Sequence, residues 1–245
     1  MSKRSVWLVG VPSGRLDLLS LKALALIKNC KYCFYSSSLI SEDVLALCVS
    51  AVLVKDVLND STEDVSYMLM TSVKSGGLTV KLYSGSLSIY SGMQELTFHL
   101  NTCGIPFEIV PSVGALEVVF AQLGCELLTP WGKSLVITKV TKRSMDCRKL
   151  LCLETLSLAV PTLVLYLSIR LAPYVATALT GGYGSRCPVL CVYRATWNEE
   201  TYLLTKLSSL SADVRALSPQ RTVVVIIGRS LLNFRTFRSS VGRGR

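Results

Sequence analysis

Three places in this 245-residue chain put small and hydroxylated residues directly after a short apolar run. The first is VGVPSGRLDLLSLKA (9–23), which carries Gly10, Ser13 and Gly14. The second is YSSSLIS (35–41). In the third, VKLYSGSLSIYSG (80–92), the run Val80–Tyr83 stops at Ser84, Gly85 and Ser86 before Ile89 begins what reads as a helix. A strand that opens through such residues into a helix presents backbone N–H groups that can meet a ligand. Gly10 and Gly14 let the chain turn tightly or pass close to something, and Asp17 favours the start of the next helix through its dipole. Turn chemistry uses the same residue types, so each stretch alone is weak evidence.

Other chemistry is sparser. Cys30 and Cys33 form a CxxC, but no second pair stands at zinc-finger distance; Cys187 and Cys191 are close in sequence, and His99 is the lone histidine. A structural zinc site needs four ligands at tight spacings, so the nine cysteines read as small reduced core residues and no metal is expected. No side chain stands out as a nucleophile or base. Arg229 directly follows the apolar run VVVIIG, at a position that in α/β sheets tends to face ligands. The other arginines near the end, Arg235, Arg238, Arg243 and Arg245, read as a solvated basic tail over 233–245.

The elements that must position these residues alternate. Strands are expected at Ser5–Val9, Tyr32–Tyr35, Val52–Val54, Thr79–Tyr83 and Phe107–Val110. Helices are expected at Asp17–Ile27, Glu42–Cys48, Thr62–Lys74 and Ser88–Asn101. Strand–helix alternation predicts a parallel sheet with right-handed crossovers. After Pro111 the rhythm changes: helix Ala115–Leu123, strand Ser134–Thr138, a helix around Arg148–Leu158, strand Thr162–Leu167, helix Pro173–Leu179, strands Val189–Tyr193 and Tyr202–Lys206, helix Ser208–Ala216 and strand Thr222–Ile227. The expectation is an α/β protein of two domains, 1–111 and 112–232, before the tail. Half the residues are hydrophobic and 17% are charged, ample for two cores. The apolar runs are far shorter than the ~20 residues of a membrane helix, and the N-terminus has no secretory h-region, so a cytoplasmic protein is expected. The net charge of +10 suits an anionic partner.

Together these stretches are more specific. The series VGxxxGxxDLLSLKA, YSSSLI, YSGSLSIYSG, GIPFEIVPSVGALEVVFAQLGCELL, LVLYLSIR, VYRATWNEE and the terminal IIGR resembles the tetrapyrrole (corrin/porphyrin) methyltransferases over about residues 5–229. The blocks Ser38-Leu39-Ile40, Leu167-Ser168-Ile169-Arg170 and Tyr193-Arg194-Ala195-Thr196-Trp197 are most similar to the branch that methylates precorrin-4 at carbon 11 on the route to cobalamin. The resemblance implies two α/β domains, a mostly parallel sheet in the first and a mixed sheet in the second, with S-adenosylmethionine (SAM) in the crevice between them. It implies SAM contacts at Ser13, Ser84, Gly85, Ser86, Ile89, Gly114, Ala115, Leu167 and Ala195, a homodimer, and a tetrapyrrole substrate. Arg170, Arg194 and Arg229 are candidate contacts for the substrate's carboxylates, and Tyr35 and Tyr193 could pack on the macrocycle. Neither a membrane nor a nucleic acid is expected as partner.

The chain departs from the family at several motif positions. The family's G-A-G-P-G-D-P is Gly10-Val11-Pro12-Ser13-Gly14-Arg15-Leu16 here; its S-G-D-P has Ser86 and Leu87 for the last two residues; its P-G-V-S-S is Pro111-Ser112-Val113-Gly114-Ala115; and Thr205 stands at a family glycine. A lost carboxylate acceptor can cost about 1–3 kcal/mol of binding. A sister methyltransferase, a cobalt-precorrin-4 enzyme, an RNA methyltransferase of the same superfamily and a diverged non-catalytic binding protein remain open alternatives at this point.

Overall fold

The computed structural model describes residues 5–12, 14–128, 133–141, 152–217 and 222–231. Ser13, the tail 233–245 and the first part of the helix expected around Arg148–Leu158 lie outside the described residues. The chain forms two units. Residues up to Ala115 join Thr196–Asn198 in the first; Leu116–Ala195 and the residues from Glu199 on form the second.

The first unit is built on five parallel strands: β1 (Val6–Val11), β2 (Tyr32–Tyr35), β3 (Leu53–Asp56), β4 (Thr79–Ser84) and β5 (Phe107–Val110), in the order β3-β2-β4-β1-β5. All six residues of β1 are buried, as a central strand covered on both faces requires. Alternate side chains feed two apolar layers. On one face Trp7, Val9, Val11, Cys33, Val80 and Leu82 pack with α1 (Leu21–Asn29) and α2 (Glu42–Leu45). On the other, Val6, Leu8 and Phe34 pack with α3 (Thr62–Lys74) and α4 (Met93–Thr102).

Local chemistry sets the helix ends. Ser61 Oγ accepts from Asp64 N at 3.1 Å, and acidic Glu63 and Asp64 sit in the first turn of α3. Helix α1 starts at Leu21 rather than Asp17, because Ser20 is its cap; Leu16–Leu18 is a separate 3₁₀ turn in which Asp17 pairs with Arg15. Helix α4 starts at Met93 rather than Ser88. Tyr90 at φ +53° and Gly92 at φ +76° leave the right-handed region, so residues 87–90 form a turn instead.

Among the described residues of this unit one cation is buried. Lys81 of β4 is 6% exposed, and its Nζ stands 5.2 Å from the centre of the Tyr83 ring. Burial lowers its pKa to about 8, partly offset by Asp56 and Cys33. The folded chain therefore holds this proton less tightly than the unfolded chain, so the stability cost is full below pH 8 and fades as pH rises from about 8 toward 10.5. Lys81→Met is expected to raise stability at pH 7 by about 2–3 kcal/mol, with the gain vanishing above pH 10. Denaturant titration of both forms across that range checks it.

The second unit carries a mixed sheet. Its strands are β6 (Leu135–Lys139), β7 (Thr162–Tyr166), β8 (Pro188–Tyr193), β9 (Thr201–Lys206) and β10 (Val223–Gly228), in the order β6-β7-β10-β8-β9. Among the described residues only β6 and β7 pair in parallel in this sheet; its other pairs are antiparallel. Leu163, Leu165, Val189, Cys191, Val223, Val225 and Ile227 face a layer formed by α6 (Leu153–Ala159), α7 (Ala172–Tyr183) and α8 (Leu210–Leu217). Helix α5 (Ala115–Gln122) leads into this unit, and its Gln122 Oε1 accepts from the Tyr202 hydroxyl at 2.6 Å.

Candidate functional site

In the first sheet β1 and β4 are neighbours, yet α1 after β1 and α4 after β4 pack on opposite faces. That is the switch point at which open α/β sheets bind ligands, outside the carboxyl ends of the strands. Val11 and Ser84 are register partners there, and Gly85 N extends the ladder by donating to Val11 O at 2.7 Å. Gly85 adopts φ +67°, a conformation that costs an L-residue about 1–2 kcal/mol.

The loop after β5 closes on the same point. A β-carbon added to Gly10 would stand 2.5 Å from Leu87 Cδ1, 2.6 Å from Ser112 Cβ and 3.1 Å from Gly85 O. One added to Gly85 would find Gly114 Cα at 3.8 Å and Ala115 N at 3.9 Å. The fold thus brings Ser84, Gly85, Gly114 and Ala115 together. Ser86 adjoins them, its Oγ accepting from Ser88 N at 3.3 Å, and Ile89 lies half-buried in the same turn. Tyr35 ends β2, the other neighbour of β4, and burial together with Asp56 raises its hydroxyl pKa.

The residues that replace family motif positions are accommodated. Leu87 is 5% exposed and belongs to the apolar layer under α3 and α4. Arg15 is exposed and ion-paired to Asp17, whose carboxyl it holds below the usual range.

Two features escaped sequence reasoning. Ser112 Oγ is buried without a hydrogen-bond partner among the described residues; the only sequence signal was a serine where the family has glycine. Thr196–Asn198 folds with the first unit: Gly14 N donates to Thr196 Oγ1 at 2.9 Å. Nothing local in sequence connects positions so far apart.

The second unit gathers its candidates at the carboxyl ends of β7 and β8. Leu167, Arg194 and Thr222, all non-glycine, have φ of +54°, +45° and +59° there, and Arg194 N donates to Thr222 O at 3.0 Å. Such strain persists only where surroundings enforce it, and it concentrates at functional sites. Buried Ser168 fixes the turn after β7, accepting from Val140 N and donating to Tyr166 O, both at 2.7 Å. Arg170 follows, exposed, in a 3₁₀ turn. The Arg194 guanidinium lies 5.6 Å from the Tyr193 ring centre and 3.2 Å from Glu199 Oε1. Ala195 is buried beside it. Burial, with Glu117 adding to it, pushes the Tyr166 hydroxyl up to about 12, so it stays a neutral donor.

Arg229 does not join this group. It follows the opposite end of β10, where Gly228 pairs with Thr162, and its N–H donates to Pro161 O at 3.1 Å. The six residues of β10, at about 3.3 Å each, separate it from Tyr193 and Leu167. It lines a shallow depression with Arg186 and Tyr183–Pro188 instead. Its strand-end position does not bring it to Leu167 and Arg194, because β10 runs antiparallel to both neighbours and its carboxyl end faces away from theirs.

A family model of the tetrapyrrole (corrin/porphyrin) methylases matches residues 5–211. The chain belongs to the tetrapyrrole methylases. These enzymes are C-methyltransferases that use SAM as methyl donor. Among similar proteins, a precorrin-4 C(11)-methyltransferase of Rhodococcus erythropolis is 30% identical over 93% of this chain and 92% of its own. The X-ray structure of a cobalt-precorrin-4 methyltransferase of cobalamin biosynthesis superposes with a TM-score of 0.84 at 22% identity, over 94% of this chain and 96% of that one. A uroporphyrin-III C-methyltransferase of Thermus thermophilus, solved with S-adenosylhomocysteine, gives 0.77 at 25% identity, over 95% and 100%. The two-unit tetrapyrrole methylase architecture, with a parallel first sheet and a mixed second sheet, is thus that of the family. Among the described residues no helix is long and apolar enough to cross a membrane.

Proposed function

We propose that this tetrapyrrole methylase transfers a methyl group from SAM to ring carbon 11 of precorrin-4, giving precorrin-5 in cobalamin biosynthesis. The observation that carries the reading is the convergence of the end of β1 and the loops after β4 and β5 on a switch point that contains a buried hydroxyl, Ser112 Oγ, without a hydrogen-bond partner among the described residues. It occurs in a chain that matches a precorrin-4 C(11)-methyltransferase over nine-tenths of its length.

The residues present suit the donor. Ser84, Gly85, Gly114 and Ala115 would hold it through main-chain groups, and Ser112 Oγ would supply a hydrogen bond. SAM, when bound, supplies a methyl group already activated on a sulfonium, so no side-chain nucleophile is required. The protein's task is placement, which can contribute several kcal/mol and up to about 7–11 in ideal cases. Arg170 and Arg194 are assigned to the substrate's carboxylates, with Tyr193 and Tyr35 against the ring. Arg194 would exchange its exposed contact with Glu199 for the substrate, a small loss because such surface pairs contribute about 0–1 kcal/mol. A homodimer working in the cytoplasm completes the reading, and light scattering on the purified chain tests the first of these.

Ser112→Ala separates binding from folding. Removing an unsatisfied buried hydroxyl leaves stability unchanged or slightly higher, whereas losing its bond to the donor weakens S-adenosylhomocysteine binding about 5–30-fold. Parallel calorimetric titration and thermal melting check it.

The deciding assay incubates the chain with SAM and metal-free precorrin-4, followed by mass analysis. Gain of one methyl group at carbon 11 is expected. Methylation of the cobalt complex alone would favour the second reading, for which the structural neighbour named for that substrate is the argument. Donor binding without transfer to either would identify a diverged binding protein.

A further inference from the structure

Cys30, Cys33 and Cys48 meet at the amino end of β2, away from the switch point at the strands' carboxyl ends. Cys30 ends α1, Cys33 is the second residue of β2, and Cys48 follows α2. Their Sγ atoms all lie within 4.8 Å of one another, and none is in a disulfide. Cys30 and Cys33 are buried; Cys48 is half-buried. The sequence gives the CxxC no partner at metal-binding distance, but the fold supplies one from beyond α2.

The backbone fixes this arrangement. Cys48 N donates to Leu45 O at 3.0 Å, and Ala51 N to Cys48 O at 3.2 Å. Val52 N then donates to Lys31 O at 2.9 Å, tying the Cys48 turn to the residue inside the CxxC. The Cys30 thiol is oriented by Ile27 O at 3.1 Å. Zinc–sulfur bonds of about 2.3 Å at tetrahedral angles place ligand sulfurs about 3.8 Å apart, so small side-chain rotations bring these three thiols to ligand spacing.

The geometry points to a three-cysteine site for one thiophilic cation of the zinc class, with no fourth protein ligand beside the three sulfurs among the described residues. Binding exchanges three S–H bonds for three sulfur–metal bonds and releases three protons to the buffer; no electron is transferred. Three protein ligands and an open fourth position differ from a closed four-ligand structural site. The cation would tie α1, β2 and the turn after α2 together, and would stabilise the folded chain by mass action. This site is independent of methyl transfer.

The test uses the reduced, metal-free full-length chain titrated with zinc against a chromophoric chelator. One zinc per chain is expected, with a higher melting temperature. Cys48→Ser and Cys30→Ser should each weaken binding roughly tenfold or more, while Cys103→Ser, at an exposed cysteine of the same unit, should not. Cobalt replacing zinc should give a sulfur-to-metal absorption band that Cys48→Ser removes. Far-UV circular dichroism confirms that the variants compared are folded, and the half-exposed Cys48 position keeps at least one comparison available. Failure of the wild-type chain to take zinc, or binding by Cys48→Ser equal to wild type, overturns the site.

Discussion

Gly14→Ala is expected to lower kcat/KM for methyl transfer by about 100-fold. A β-carbon at this position would stand 2.3 Å from Thr196 O, 2.6 Å from Thr196 C and 2.7 Å from Trp197 Cα. These are main-chain atoms, so no rotamer change relieves the overlap. Thr196 already sits at φ +75°, held by the hydrogen bond from Gly14 N. The added methyl must push the Thr196–Asn198 segment off the loop after β1. Ala195 and Arg194 precede that segment directly and move with it. A displacement of about 1 Å in a positioning element can cost ~100-fold even far from the chemistry. Gly104→Ala is the control: its φ is +66°, but its surroundings are open, so it should cost about 1–2 kcal/mol of local strain and leave turnover intact. Steady-state kinetics of the two variants decide the matter, and a Gly14→Ala enzyme within twofold of wild type would contradict the role given to the Thr196 segment.

The largest stability effect should come from Gly228→Ala. Gly228 ends β10 at φ +141°, and a β-carbon there would lie 2.2 Å from Pro161 O and 2.9 Å from Thr162 Cα. That region of backbone space belongs to glycine, and the neighbours are again main chain. Conformational strain of about 1–3 kcal/mol adds to an overpacking cost of similar size, giving roughly 3–5 kcal/mol. For a chain of this length that is a fall of about 6–20 °C in Tm. The two units need not melt together, so scanning calorimetry should show the loss in the transition of the second unit. A superposable melting curve would refute the estimate.

Sequence reasoning read most of the fold because the two periods are clear in it. The ends of α3, β2 and β5 agree with the sequence pattern, since Ser61 caps α3 and short apolar runs bounded by turn residues define the strands. The close approach of Gly85 to Gly114 and Ala115 was legible in part: small residues after β4 mark where main chain can come close, whereas Gly114 and Ala115 were pointed to by the family resemblance alone. What was not legible depends on contacts between distant positions. The start of α4 is set by Tyr90 and Gly92, two left-handed residues in a stretch whose composition suits a helix. The direction of β10, and with it the placement of Arg229, follows from sheet order rather than from any local pattern. The approach of Cys48 to the CxxC and of Thr196 to Gly14 likewise exists only once the chain is folded.

The central claim is that the main chain after β4 and β5 grips an adenosyl donor despite the serine and leucine at Ser86 and Leu87. Residue-resolved amide hydrogen exchange with saturating S-adenosylhomocysteine tests it most directly. Slowed exchange confined to Gly85–Tyr90 and Ser112–Ala115 in the first unit, with Arg229 unaffected, is the predicted result. Unchanged exchange across both loops while the ligand is demonstrably bound would contradict it.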